Sequence, residues 1–146
     1  VLADRIRVHV REELGAAYSP GTALTMNPVY PGVGSWTLEG QAEPAQAETL
    51  REALLETALK LAEEGVGAEE LERVRAPILN QRRDAKRTNG YWISVLDESQ
   101  RDPGHLDAVR SGDRVFEETS ADELTALAKE YLVRERASTL IVNPEP

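Results

Sequence analysis

An apolar residue at every fourth position, Leu2, Ile6, Val10 and Leu14, opens the chain, and the series stops at Gly15. Side chains four apart stand above one another on a helix. The stripe therefore predicts a helix over Val1 to Leu14 with one face against a core. Glycine enters the left-handed region without a steric cost, so Gly15 predicts a sharp turn out of that helix. Ala16 to Met26 then reads as a strand, and Val33 to Ala42 as a second. In the latter, Trp36 and Leu38 alternate with Ser35, Thr37 and Glu39. The loop between them, Asn27 to Gly34, is rich in turn residues and too long for a tight hairpin. Tyr30 within it reads as a loop aromatic packing on its neighbours.

Helical spacing dominates the remainder. Pro44 suits a first helical turn, and Leu50, Leu54, Ala58 and Leu61 give that helix one apolar stripe. Glu56 and Lys60 form a favourable i, i+4 pair, and Gly65 marks the stop. A helix from Ala68 to Lys86 turns Leu71, Val74, Ile78 and Ala85 inward, and Pro77 inside it predicts a kink. Tyr91 to Arg101 is the next helix, closed by Pro103. Ser120-Ala121-Asp122-Glu123 is a capping box that opens a helix through Leu132. Ser138 to Val142, apolar and partly β-branched, is predicted as a terminal strand. The order α-β-β-α-α-α-α-β implies an α+β fold, with helices packed on one face of a mixed, mostly antiparallel sheet. Its 146 residues are expected to form a single domain over 1–146.

Composition removes several function classes. The chain has no cysteine, so disulfides, a thiol nucleophile and a cysteine-based metal site are excluded. A net charge of −9 argues against a nucleic-acid partner, which needs a basic stripe. The cluster Arg75, Arg82, Arg83, Lys86 and Arg87, with Asp84 alone against it, reads as a solvated helix face rather than a phosphate site. No apolar run approaches the ~20 residues of a membrane-spanning helix. Neither a G-x-S-x-G elbow nor a phosphate-binding glycine loop is present. The chain opens in helical rhythm without an initiator methionine, so a fragment of a longer protein is expected.

One segment carries chemistry. In Arg11-Glu12-Glu13-Leu14-Gly15-Ala16-Ala17-Tyr18-Ser19, a guanidinium at the helix end precedes a phenol at the start of a strand. Arginine donates in a rigid planar fork and tyrosine offers a weakly acidic hydroxyl. The pair suits binding and polarising a peptide carbonyl, as an oxyanion-hole donor does. On the residues alone a plainer reading competes, in which Arg11 pairs with a helix-end carbonyl or acidic neighbour and Tyr18 is a half-buried strand aromatic. His9, Glu12 and Glu13 share a helix face, but catalytic zinc wants three ligands plus water and a partly exposed polar face is the better reading. No metal site is assigned.

The same segment resembles the Arg–Tyr motif in the C-terminal half of the insulinase/pitrilysin family of zinc metallopeptidases, the inverzincins. The family pattern, roughly R-E-x-x-G-x-A-Y-S, is met at Arg11, Glu12, Gly15, Ala17, Tyr18 and Ser19. Further similarities follow in order: Thr88-Asn89-Gly90-Tyr91-Trp92 with Asp102-Pro103 downstream, then the capped helix from Thr119 and the segment Ser138 to Val142. The family's zinc motif, H-x-x-E-H, is absent, since Glu13 stands where its second histidine would be after His9. The resemblance thus implies the non-metal domain of a peptidase of the pitrilysin/mitochondrial processing peptidase type, lacking its first strand and inactive alone. Its implied partners are a peptide substrate and an H-x-x-E-H-bearing domain or subunit that holds the zinc. Arg11, Tyr18 and Ser19 would contact substrate, with Tyr18 and Arg11 at the scissile peptide. A non-catalytic binding or assembly subunit of the same superfamily is the alternative. A homodimer of the fragment and a periplasmic location in a bacterium are further expectations.

Overall fold

A computed structural model describes residues 1–13, 15, 19–27, 29, 30, 32–143, apart from the side chains of Glu12 and Glu13. The chain forms two compact units, one of Val1–Gly65 with Thr125–Pro146 and one of Val66–Leu124.

The first unit is built on the opening stripe. Leu2, Ile6 and Val10 are 4, 0 and 0 % exposed, and Leu14 lies outside the described residues. The predicted helix has two parts: α1, Leu2–Ile6, is α-helical, and Arg7–Glu13 is a π-helix. The spacing itself supplies the reason. Four residues of an α-helix turn ~400°, so a strict every-fourth stripe drifts by ~40° per step around the axis. The looser i→i+5 winding of a π-helix offsets that drift and keeps Val10 on the side of Ile6.

β1, Gly21–Met26, pairs antiparallel with β2, Gly34–Glu39, in a register that sets Leu24 opposite Trp36 and Thr22 opposite Leu38. Of the strand expected from Ala16, residues 16–18 fall outside the described residues and Ser19 is a bend. α2, Ala47–Glu64, buries Leu50, Ala53, Leu54, Ala58 and Leu61. Its buried Thr57 donates its hydroxyl to the Ala53 carbonyl at 2.6 Å, which leaves no polar group stranded. α1 and the π-helical segment pack on α2, while β1 meets α1 and β2 meets α2. Helices on an antiparallel sheet make the α+β class expected from the sequence.

The second unit holds α3, Ala68–Ala85, α4, Asn89–Arg101, and α5, His105–Glu118. α3 runs through Pro77, and α4 starts two residues earlier than predicted because Thr88 caps it, accepting from the Tyr91 amide at 3.3 Å. α5 is absent from the sequence reading and packs on both α3 and α4. α6, Ala121–Tyr131, links the units in sequence, and its capping box forms as predicted. Ser120 Oγ accepts from the Glu123 amide at 3.2 Å and Glu123 accepts from the Ser120 amide at 2.8 Å.

The predicted strand over Ser138 to Val142 is not formed. Leu140 and Val142 are 87 and 81 % exposed, and among the described residues no backbone hydrogen bond joins this segment to β1 or β2. Strand propensity measures fit to a pleated surface, and a strand exists only where an edge receives it. The described sheet is therefore two-stranded rather than three-stranded.

Candidate functional site

Arg11 lies in the last turn of the π-helical segment, one residue after the fully buried Val10, with its side chain exposed. Burial of Val10 on the inner face turns the next residue toward solvent. A cation is well placed there, because the last turn of a helix carries partial negative charge. Among the described residues, no hydrogen bond or ion pair occupies the guanidinium. The plainer reading of Arg11, as a cap or an ion-pair partner, thus has no described counterpart. π-helical turns recur at functional sites, because the extra residue redirects a side chain without ending the helix.

Gly15 has φ +59°, with nothing within 4 Å of where a Cβ would stand. Its left-handed backbone is the reason for glycine here, as the sequence led one to expect, while the residues on either side of it lie outside the described ones. Ser19 is exposed at a bend. Tyr18 lies outside the described residues, so of the three motif residues Arg11 and Ser19 have a described position and the Arg11–Tyr18 pairing does not.

His9 is half-buried on the π-helical segment, and its imidazole is a minor neighbour beside Lys60 of the Glu56 carboxyl, which is held below its ordinary range. Lys60 contributes the larger part, through the predicted ion pair at 2.9 Å. Among the described residues no group of three histidine, aspartate or glutamate side chains is placed to hold a metal ion.

The motif Thr88 to Trp92 serves as a joint between helices. The Trp92 indole donates to the Lys86 carbonyl at 2.8 Å, satisfying a backbone acceptor beyond the end of α3, and packs edge-on to Tyr91 at 5.2 Å. The basic cluster is likewise occupied. Arg82 Nε and Lys86 Nζ both donate to Asp113, at 2.8 and 2.6 Å, and the Arg82 guanidinium lies 4.9 Å from the centre of the Phe116 ring. Lys86 first and Arg82 second hold the Asp113 carboxyl below its ordinary range. These cations tie α3 to α5 rather than standing free for phosphate, and Arg75 adds a bond to the Thr119 carbonyl. The partner Asp113 escaped the sequence reading because it belongs to the unrecognised helix α5.

Residues 2–78 match the sequence profile of the peptidase M16 inactive domain. No curated protein matches the chain. Among solved structures, the periplasmic protease PqqL from Escherichia coli is similar, at a TM-score of 0.71 and 20% sequence identity. The similarity covers 90% of this chain and 14% of that one. The chain therefore spans about a seventh of the length of that protease, and at this identity the likeness concerns the fold.

Proposed function

The chain belongs to the peptidase M16 family, as its inactive domain, and from this premise we propose that it forms the substrate-side, non-metal half of a zinc endopeptidase. A partner domain or subunit carrying H-x-x-E-H holds the zinc and the base that activates water. This chain's part is to bind and orient the peptide. Arg11 holds substrate backbone, Tyr18 donates its hydroxyl to the scissile carbonyl as negative charge develops there, and Ser19 lines the same surface. The two halves enclose the peptide between them. The likeness to a periplasmic protease supports the same compartment here.

The observation that carries the reading is Arg11 exposed on a π-helical turn just before the left-handed Gly15, within the segment that matches the family profile. A guanidinium in that position is available to an incoming carbonyl or carboxylate. In the assembled enzyme, Tyr18→Phe should lower kcat by roughly 10²–10³, the range for one lost oxyanion donor. KM should change far less, since that hydrogen bond tightens only in the transition state. Arg11→Ala should weaken binding and turnover together, because a positioning contact acts in both states. A fully active Tyr18→Phe enzyme would remove the assignment and favour the binding or assembly subunit instead.

A further inference from the structure

We propose that Arg7 sets the substrate preference of the site, its guanidinium receiving a carboxylate that the peptide carries one or two residues from the bond to be cut. The inference rests on the substrate-side reading of Arg11. Ala3, Arg7 and Arg11 are exposed at every fourth position, in the row next to the buried Leu2, Ile6 and Val10. Residues four apart stand on one side of the axis in α-helical winding and in the looser π-helical winding alike. The surface that presents Arg11 therefore presents Arg7 one turn before it. Cβ atoms so placed are about 5–6 Å apart, and an extended peptide advances about 3.3 Å per residue. A peptide held by its backbone at Arg11 thus brings a side chain one or two residues along within reach of Arg7.

The Arg7 guanidinium is held in position. It donates to Asp4 at 2.9 Å, and the Asp4 side chain is 20 % exposed against 50 % for Arg7. The better-buried carboxylate steadies the fork while half of the arginine side chain stays open to solvent. An ion pair between exposed neighbours on one helix is weak, so an incoming carboxylate can share the fork, whose planar geometry suits it. The surroundings favour an anion despite the net charge of −9, because from Leu14 to Leu38 the chain carries no charged residue. β1 lies within that stretch and packs on α1, so no carboxylate on the hairpin opposes an acidic side chain. Glu12 and Glu13 follow Arg11 one and two residues' rotation further round the axis, flanking the Arg7–Arg11 row rather than standing in it. Peptides selected in this way carry aspartate or glutamate beside the scissile bond. A free C-terminal carboxylate offers the same chemistry.

Fluorescent peptides of one core sequence test it. Three are C-terminally amidated and place aspartate, asparagine or lysine one or two residues from the scissile bond. A fourth has asparagine there and ends in a free carboxylate. Cleavage by the assembled enzyme gives kcat/KM for each, and fluorescence anisotropy gives binding to the 146-residue chain. A carboxylate-bearing peptide should be taken at least about tenfold better than the amidated asparagine peptide. Whether the aspartate or the free-carboxylate peptide gains shows which source the site uses. The preference should shrink with added salt. Arg7→Lys should keep part of it, and Arg7→Glu should turn it toward the lysine peptide, a gain that misfolding cannot imitate. Equal cleavage of all four peptides, or a preference that Arg7→Glu leaves as it was, would overturn the subsite while the proposed function stands. Charge-selective binding that Arg7→Glu reverses, with no cleavage by the assembled enzyme, would overturn the proposed function instead. Neither cleavage nor charge-selective binding would overturn both.

Discussion

The Arg5 guanidinium donates to the Gly65 carbonyl at 2.7 Å, joining α1 to the residue that ends α2, sixty positions away in sequence. A second guanidinium nitrogen reaches Glu64 at 3.3 Å. Gly65 has φ +78°, which terminates α2 and turns its carbonyl outward, and a Cβ there would stand 3.0 Å from the Thr125 side chain. A charged donor on a backbone carbonyl contributes about 1.5–3 kcal/mol when well buried. Arg5 is 21 % exposed, so Arg5→Ala should cost roughly 1–2 kcal/mol in urea unfolding. Arg5→Lys, with one point donor in place of a fork, should recover only part of it.

The buried stripe should be the most sensitive part of the first unit. Ile6 is 0 % exposed. Ile6→Ala should cost about 2–5 kcal/mol and Ile6→Val about 0.5–1.5 kcal/mol. Calorimetric melting or urea titration distinguishes the two, and equal losses would mean that the surroundings collapse onto the site.

Acid should loosen the second unit through Asp113. Its carboxyl is held below the ordinary range by Lys86 and Arg82. A carboxylate with a lowered folded pKa contributes stability that is complete above its unfolded pKa of about 3.9. That contribution is lost as pH falls through the lower folded value. Asp113→Asn should therefore be less stable than wild type at pH 7, with the gap closing as the pH drops below about 4. A gap that widens in acid would contradict the pairing.

Gly112 tests the same cluster by shape. A Cβ at Gly112 would run into the Arg82 guanidinium, which is held in place by Asp113. Alanine improves helix propensity by about 1 kcal/mol over glycine. Gly112→Ala should deliver that gain in an Arg82→Ala background and distinctly less in the wild type. Melting temperatures of the four proteins in the cycle give the coupling directly.

On the proposed function, the chain alone should cleave no peptide, because the base that activates water would belong to the zinc-bearing half. Adding that half should restore turnover in proportion to complex formed. Peptidase activity in the purified chain, lost on adding a chelator, would contradict this.

Where the sequence announces a structure here, it does so by uninterrupted periodicity or by a local rule. The stripe Leu50, Leu54, Ala58, Leu61 defines α2, Ser120 with Glu123 defines the start of α6, and Gly15 and Gly65 occupy their positive-φ positions. α5 stays hidden because its inward side mixes Leu106 and Val109 with Gly112 and Asp113, and Asp113 is acceptable there only through Arg82 and Lys86 on another helix. The Ser138–Val142 strand is misread for the converse reason, since local preference is satisfied but, among the described residues, no backbone hydrogen bond pairs the segment with the sheet. In the candidate site the motif marks Arg11, Tyr18 and Ser19, whereas the winding that exposes Arg11 depends on stripe register against α2, which no local pattern spells out.

That winding makes the direction of Arg11 a matter of counting. In a π-helical stretch the azimuth of a side chain is set by how many residues lie between it and the last buried anchor. Any substitution between Val10 and Gly15 that preserves the count leaves Arg11 aimed as it is. Removing one residue from Arg7–His9 with the winding unchanged would swing Val10 and Arg11 together by one residue's rotation, ~80–100°, with every buried residue still in the chain. The segment should therefore tolerate changes of identity and resist changes of length.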